Sequence, residues 1–130
     1  MKTLIIRWQR FIDESGQTCT RCEETGDTVK TAFDKLKKAL AVLDIEVELE
    51  KETLNFLIFT KDPLQSNRVW IGGRPLEEWI GATVGKSQCC DVCGDSECRT
   101  ISTDQSTFDA IPEVLIIRAG LLAAAELFIK

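Results

Sequence analysis

The reactive side chains of this sequence are its thiols. Six cysteines stand at 19, 22, 89, 90, 93 and 98, in two tight clusters separated by most of the chain. In Cys19-Thr20-Arg21-Cys22 two intervening residues let both thiols share one turn. Cys19 can then attack a disulfide and Cys22 can resolve the mixed disulfide that results. Arg21 favours a thiolate beside it, whereas Glu23 and Glu24 oppose one, because neighbouring carboxylates raise a thiol pKa. A metal pair and two unreactive thiols are the other readings of the same spacing.

The second cluster, Cys89-Cys90-Asp91-Val92-Cys93-Gly94-Asp95-Ser96-Glu97-Cys98, carries four sulfurs. Cys90 to Cys93, followed by Gly94, has the spacing of one zinc knuckle, which is half of a four-thiolate site. The adjacent Cys89 and Cys90, and the wider gap from Cys93 to Cys98, are awkward for a single tetrahedral ion. Three readings stay open. Cys89, Cys90, Cys93 and Cys98 could bind zinc or another soft metal, relay electrons to Cys19 and Cys22, or be structural disulfides or unreactive thiols. No cofactor other than such a metal is implied.

Composition narrows the rest. The chain contains no histidine, which excludes the Ser/His/Asp triad, the Cys/His dyad and the His-ligated zinc proteases. A formal charge of −5 leaves no broad basic surface for a phosphate backbone, so nucleic acid is not an expected partner. The first residues are interrupted by Arg7, Gln9 and Arg10, unlike a signal peptide. The apolar stretch from Val114 to Ile129 contains Arg118 and falls short of the roughly 20 residues that cross a bilayer. A cytoplasmic protein without membrane contact is therefore expected, and reduced thiols there are more often catalytic or metal-binding than disulfide-bonded. Gly81 to Ser87 resembles a phosphate-binding loop, but Ile80 stands where its first glycine belongs.

The elements that must position the cysteines follow from periodicity. Its 130 residues, 44% of them hydrophobic, predict one domain spanning 1–130. Thr3 to Phe11 reads as a strand and Cys19 to Leu43 as an amphipathic helix, with Gly26 loosening its start. Ile45, Val47 and Leu49 alternate with Glu46, Glu48 and Glu50, a second strand with one wet face. Thr53 to Ser66 reads as a connector. Arg68 to Ile71 and Arg74 to Leu76 flank Gly72-Gly73 as a hairpin, and Glu77 to Ile80 follows as a helical turn. Residues 81–99 are expected as a Cys-rich loop insertion, with a small hairpin over 99–111. Pro112 then opens a buried last helix. Trp8, Trp70 and Trp79 are expected at the core or its edge. This order predicts an α/β fold: a thioredoxin-like, mixed four-stranded sheet with flanking helices and a Cys-rich loop before the C-terminal helix.

The Cys19-Thr20-Arg21-Cys22 pair after strand one, with the hairpin Val69-Trp70-Ile71-Gly72-Gly73-Arg74-Pro75-Leu76, resembles the thioredoxin and glutaredoxin superfamily. More closely, the chain is similar to a small prokaryotic family described only as a domain of unknown function. The likeness lies in Thr18-Cys19-Thr20-Arg21-Cys22, Gly73-Arg74-Pro75-Leu76-Glu77-Glu78-Trp79, Cys89-Cys90-Asp91-Val92-Cys93-Gly94 and Ala110-Ile111-Pro112-Glu113. The wider resemblance implies a thiol:disulfide oxidoreductase acting on a protein or small-molecule disulfide or thiol. It also implies a cis-proline before the third strand, where this sequence has Ser66-Asn67. That departure points to a narrower range of partners, with Asn67 offering hydrogen bonds in the proline's place. The alternative function is a non-enzymatic binder of a soft metal or metalloid, held by thiolates of both clusters.

Overall fold

The computed structural model describes residues 2–11, 20–54, 67–88, 97–104 and 106–128. Cys19, Cys89, Cys90 and Cys93, and the connector from 55 to 66, lie outside the described residues.

Strand β1 (Lys2–Phe11) leads to helix α1 (Thr20–Ala41), which returns the chain to β2 (Ile45–Leu54). β1 and β2 pair in parallel, Lys2 against Ile45 through Phe11 against Leu54, so the opening unit is a β-α-β crossover. β2 extends past the expected acidic alternation and takes in Thr53 and Leu54, the start of the expected connector. Leu54 is buried, and that burial continues the ladder to its end.

Strands β3 (Arg68–Ile71) and β4 (Arg74–Pro75) form the expected hairpin. Its turn places Gly72 and Gly73 at φ 60° and 84°, a conformation that side chains with a Cβ resist at two successive positions. β3 pairs antiparallel with β1, giving a four-stranded mixed sheet of order β2-β1-β3-β4. Helix α2 (Leu76–Ile80) follows at once.

The residues expected as a loop over 81–99 are strands at both flanks. β5 (Thr83–Gln88) pairs antiparallel with β6 (Glu97–Ser102), and β6 pairs in turn with β7 (Thr107–Phe108). Sequence periodicity passed over β5 because Gly85 and Lys86 interrupt any apolar alternation. β5 also accounts for the false phosphate-loop likeness, since Gly81 to Ser87 feed a strand rather than a helix N-terminus. The final helix α3 (Glu113–Glu126) begins after Pro112, which acts as its extended N-cap and not as its first helical residue.

One hydrophobic core joins these parts. Leu4, Ile6 and Trp8 of β1 face a stripe on α1 made of Val29, Ala32, Leu36 and Leu40, together with Ile116, Ala119 and Ala123 of α3. The stripe recurs every three or four residues, as one face of an α-helix must. The expected buried helix, α3, is buried along one face, by Leu115, Ile116, Ala119 and Ala123, while Val114, Leu121 and Leu122 remain exposed. Glu46, Glu48 and Glu50 are exposed as expected. Among the described residues no helix is long and apolar enough to cross a membrane.

Candidate functional site

The first cysteine cluster meets the structure at the start of α1. Thr20 is the first helical residue, so the backbone of Cys22 lies in the first turn, where amide N–H groups have no intrahelical partner and the helix dipole is positive. The helix follows β1 and therefore begins at the carboxyl end of that strand.

Three neighbours define this end of the sheet. Trp8 packs its six-membered ring on Gly26 so closely that a Cβ added there would lie 2.5 Å from Cη2. The glycine anticipated as a weak spot in the helix is the clearance for an indole. Asn67, just before β3, has φ 61° and is only 2% exposed. Asparagine is among the few non-glycine residues that adopt this left-handed backbone with ease. The third neighbour is the segment running from β7 to α3, which is stitched down by side chains. Asn67 donates from Nδ2 to the carbonyl of Asp109 at 3.1 Å, the Thr25 hydroxyl accepts from Ile111 N–H at 3.0 Å, and Thr28 donates to the Ile111 carbonyl at 2.6 Å.

Two buried polar atoms here have no hydrogen-bond partner among the described residues: Trp8 Nε1 and Asn67 Oδ1. The other two indoles are satisfied. Trp70 donates to Gln9 Oε1 at 2.6 Å and Trp79 to the carbonyl of Ile71 at 2.7 Å. Both are half-buried and Trp8 is buried, as expected for core and core-edge residues. Among the described residues every peptide bond is trans.

The backbone of Cys98 lies in β6, opposite Ser87. The ladder closes at Gln88 and Glu97, so Cys89, Cys90 and Cys93 belong to the connection between two paired strands, and Cys98 stands on the second strand. Next to it, Arg99 forms a buried ion pair with Glu77 of α2, tying this hairpin to the element that follows β4. Nothing in the sequence announces that pair, because its partners lie in different elements and share no periodicity. Among the described residues no group of three Cys, Asp or Glu side chains could hold a metal ion.

A family described as a domain of unknown function, DUF2703, matches residues 4–120. The chain belongs to the DUF2703 family. The matched span takes in both cysteine clusters, both sheets and the first half of α3. An uncharacterized protein of Archaeoglobus fulgidus is 45% identical over 113 residues, covering 87% of this chain and 82% of its own. No solved structure matches the chain. The unknown-function family implied by the sequence motifs is thus the one to which this DUF2703 chain belongs. Its strand order supplies the mixed four-stranded sheet with flanking helices that the element order predicts.

Proposed function

We propose that this chain is a cytoplasmic, thioredoxin-like thiol:disulfide oxidoreductase in which Cys19 attacks and Cys22 resolves. The observation that carries the reading is the position of Cys22 in the first turn of α1, at the carboxyl end of β1. Cys19 immediately precedes the first helical residue in sequence. Unpaired amide N–H groups and the positive end of the helix dipole favour a thiolate at that point. In the forward reaction the Cys19 thiolate attacks a partner disulfide and releases one partner thiolate. The Cys22 thiolate then attacks the Cys19 sulfur, forms the Cys19–Cys22 bond and expels the second partner thiolate, which takes up a proton. Arg21 adds positive charge beside the pair. The partner is a protein or small-molecule disulfide, and a separate thiol donor returns the pair to its reduced form.

The test is a trapping experiment. Cys22→Ser protein should accumulate a mixed disulfide with a model disulfide, and Cys19→Ser protein should neither react nor reduce it. Full reductase activity in Cys19→Ser removes the enzyme reading.

A second reading has its own observation, the closure of the β5–β6 ladder at Gln88 and Glu97. Gln88 and Glu97 are paired across the ladder, and Cys89, Cys90, Cys93 and Cys98 fall between or next to them in sequence, a short span that suits a compact thiolate site for zinc or another soft ion. On this reading the protein binds a metal or metalloid and the fold is its scaffold. Native mass spectrometry of anaerobically purified protein separates bound metal, disulfides and free thiols by mass.

A further inference from the structure

A helix that is apolar all the way round is ordinarily covered all the way round. α3 is such a helix, with Arg118 as the single charge between Glu113 and Glu126, yet only one side of it is covered. Gly120 fixes which side: a Cβ there would lie 2.5 Å from Leu36 of α1, so the two helices are in close contact and the outward face of α3 is set. Opposite the buried Ile116, Ala119 and Ala123, a stripe of Val114, Arg118, Leu121, Ala125 and Phe128 recurs every three or four residues. Val114, Leu121 and Phe128 are 65%, 49% and 52% exposed, and Leu122 beside them is 45% exposed. Four of the eight large apolar side chains exposed among the described residues thus stand on this one face, a concentration that marks an association surface. Arg118, in the middle of the stripe, makes no ion pair among the described residues.

We propose that this face is covered by the same face of a second copy, in a two-fold symmetric dimer whose α3 helices run antiparallel. Charge selects that arrangement. Parallel helices related by a two-fold axis would set Arg118 beside Arg118 of the partner subunit. Antiparallel helices centred between Leu121 and Leu122 instead carry Arg118 across the small Ala125 of the partner subunit to the level of the partner's Glu126, within one helical rise of about 1.5 Å along the axis. The interface is self-complementary, so the ion pair forms twice. Glu126 has room for a second cation, because its bond to Arg74 is a long one, 3.3 Å between half-exposed groups. The same register overlaps the helices along the whole of their roughly 21 Å length, with Leu121 meeting the partner's Leu122 at the centre and Val114 facing the end of the partner's helix. One helix pair of that length lies at the small end of specific interfaces, so the dimer is reversible, with a dissociation constant on the order of micromolar. α1 and α3 run parallel, since Thr25 bonds Ile111 just before α3 and Leu36 packs on Gly120. The antiparallel seam therefore sends the starts of the two α1 helices to opposite ends of the dimer. Nothing in this pairing depends on the oxidoreductase reading, and its failure would leave that reading intact.

The test is sedimentation velocity of the full chain, with a reductant present so that no intermolecular disulfide contributes. Between roughly 1 and 300 μM the sedimentation coefficient should rise from that of a monomer to that of a dimer. Leu121→Glu changes an exposed position and should hold the protein monomeric throughout. Arg118→Glu and Glu126→Arg should each weaken association roughly tenfold, because each sets like charges opposite one another at both symmetric positions. Combining Arg118→Glu with Glu126→Arg restores opposite charges and should recover most of the loss. A monomer at every concentration overturns the proposal and leaves the face to a different protein. A dimer that survives Leu121→Glu overturns it by placing the contact elsewhere, and a double variant that associates no better than either single one overturns it by denying the antiparallel register.

Discussion

The hydroxyl oxygen of Thr25 accepts a hydrogen bond from the backbone N–H of Ile111 at 3.0 Å, joining α1, near its cysteine turn, to the segment that opens α3. Thr25 is fully buried, and the single Thr28 hydroxyl proton is shared between the Thr25 carbonyl at 2.9 Å and the Ile111 carbonyl at 2.6 Å. One side chain thus satisfies an amide that has no ladder or helix partner of its own.

Thr25→Val keeps the shape and removes the acceptor. The stranded Ile111 amide should cost about 1–3 kcal/mol of stability. Denaturant unfolding of Thr25→Val beside Thr25→Ser checks this, with serine recovering most of the loss. An unchanged midpoint in Thr25→Val would mean that Ile111 finds another acceptor.

Gly26→Ala sets two effects against each other. Alanine favours a helix interior over glycine by about 1 kcal/mol. The new Cβ would, however, lie 2.5 Å from the Trp8 ring, and overpacking of this kind costs about 1–3 kcal/mol. Because the neighbour is a rigid indole in the core, the clash should win and the variant should be less stable. In a double-mutant cycle Trp8→Phe should recover part of the loss, giving a coupling energy that thermal or denaturant unfolding can resolve.

These two residues also mark where the sequence was legible. The inward stripe of α1, the acidic face of β2 and the Gly72-Gly73 turn follow local rules of period and backbone freedom, and each is legible in the sequence. Gly26 was legible only as a helix weakness, because its use depends on Trp8, 18 positions away in sequence. β5 is not legible because Thr83 to Gln88 carry no apolar alternation, its stability coming from pairing with β6. The cysteine motif named Cys19 and Cys22 by spacing alone. It gave no hint of the side-chain bonds from Thr25, Thr28 and Asn67, which rest on contacts between distant elements.

The buried ion pair of Glu77 and Arg99 should be asymmetric in its response to mutation. Glu77→Gln leaves a guanidinium buried beside a neutral amide, and removing one partner of a buried pair costs about 3–5 kcal/mol. Replacing both, as in Glu77→Leu with Arg99→Met, removes two desolvated charges together and should restore much of the stability. Unfolding midpoints of the two single variants and the double variant test this. Additive losses in the double variant would show that the residues contribute separately, through packing alone.

The two cysteine clusters can be tested for coupling because β7 leads directly into the segment held by Asn67, Thr25 and Thr28. Ile101 of β6 pairs with Phe108 of β7, the Asp109 carbonyl is held by Asn67, and Ile111 is held by Thr25, three residues past Cys22. The strand that carries Cys98 is therefore linked through a few anchored residues to the helix that carries Cys22. If the clusters work together, mild oxidation followed by peptide mapping should recover a disulfide between Cys19 or Cys22 and one of Cys89, Cys90, Cys93 or Cys98. In zinc-loaded protein the matching outcome is simultaneous protection of both clusters from alkylation. Disulfides confined to each cluster, with zinc protecting one or neither, would make the β5–β6 cysteines an independent stabilising knot and leave the first pair to act alone.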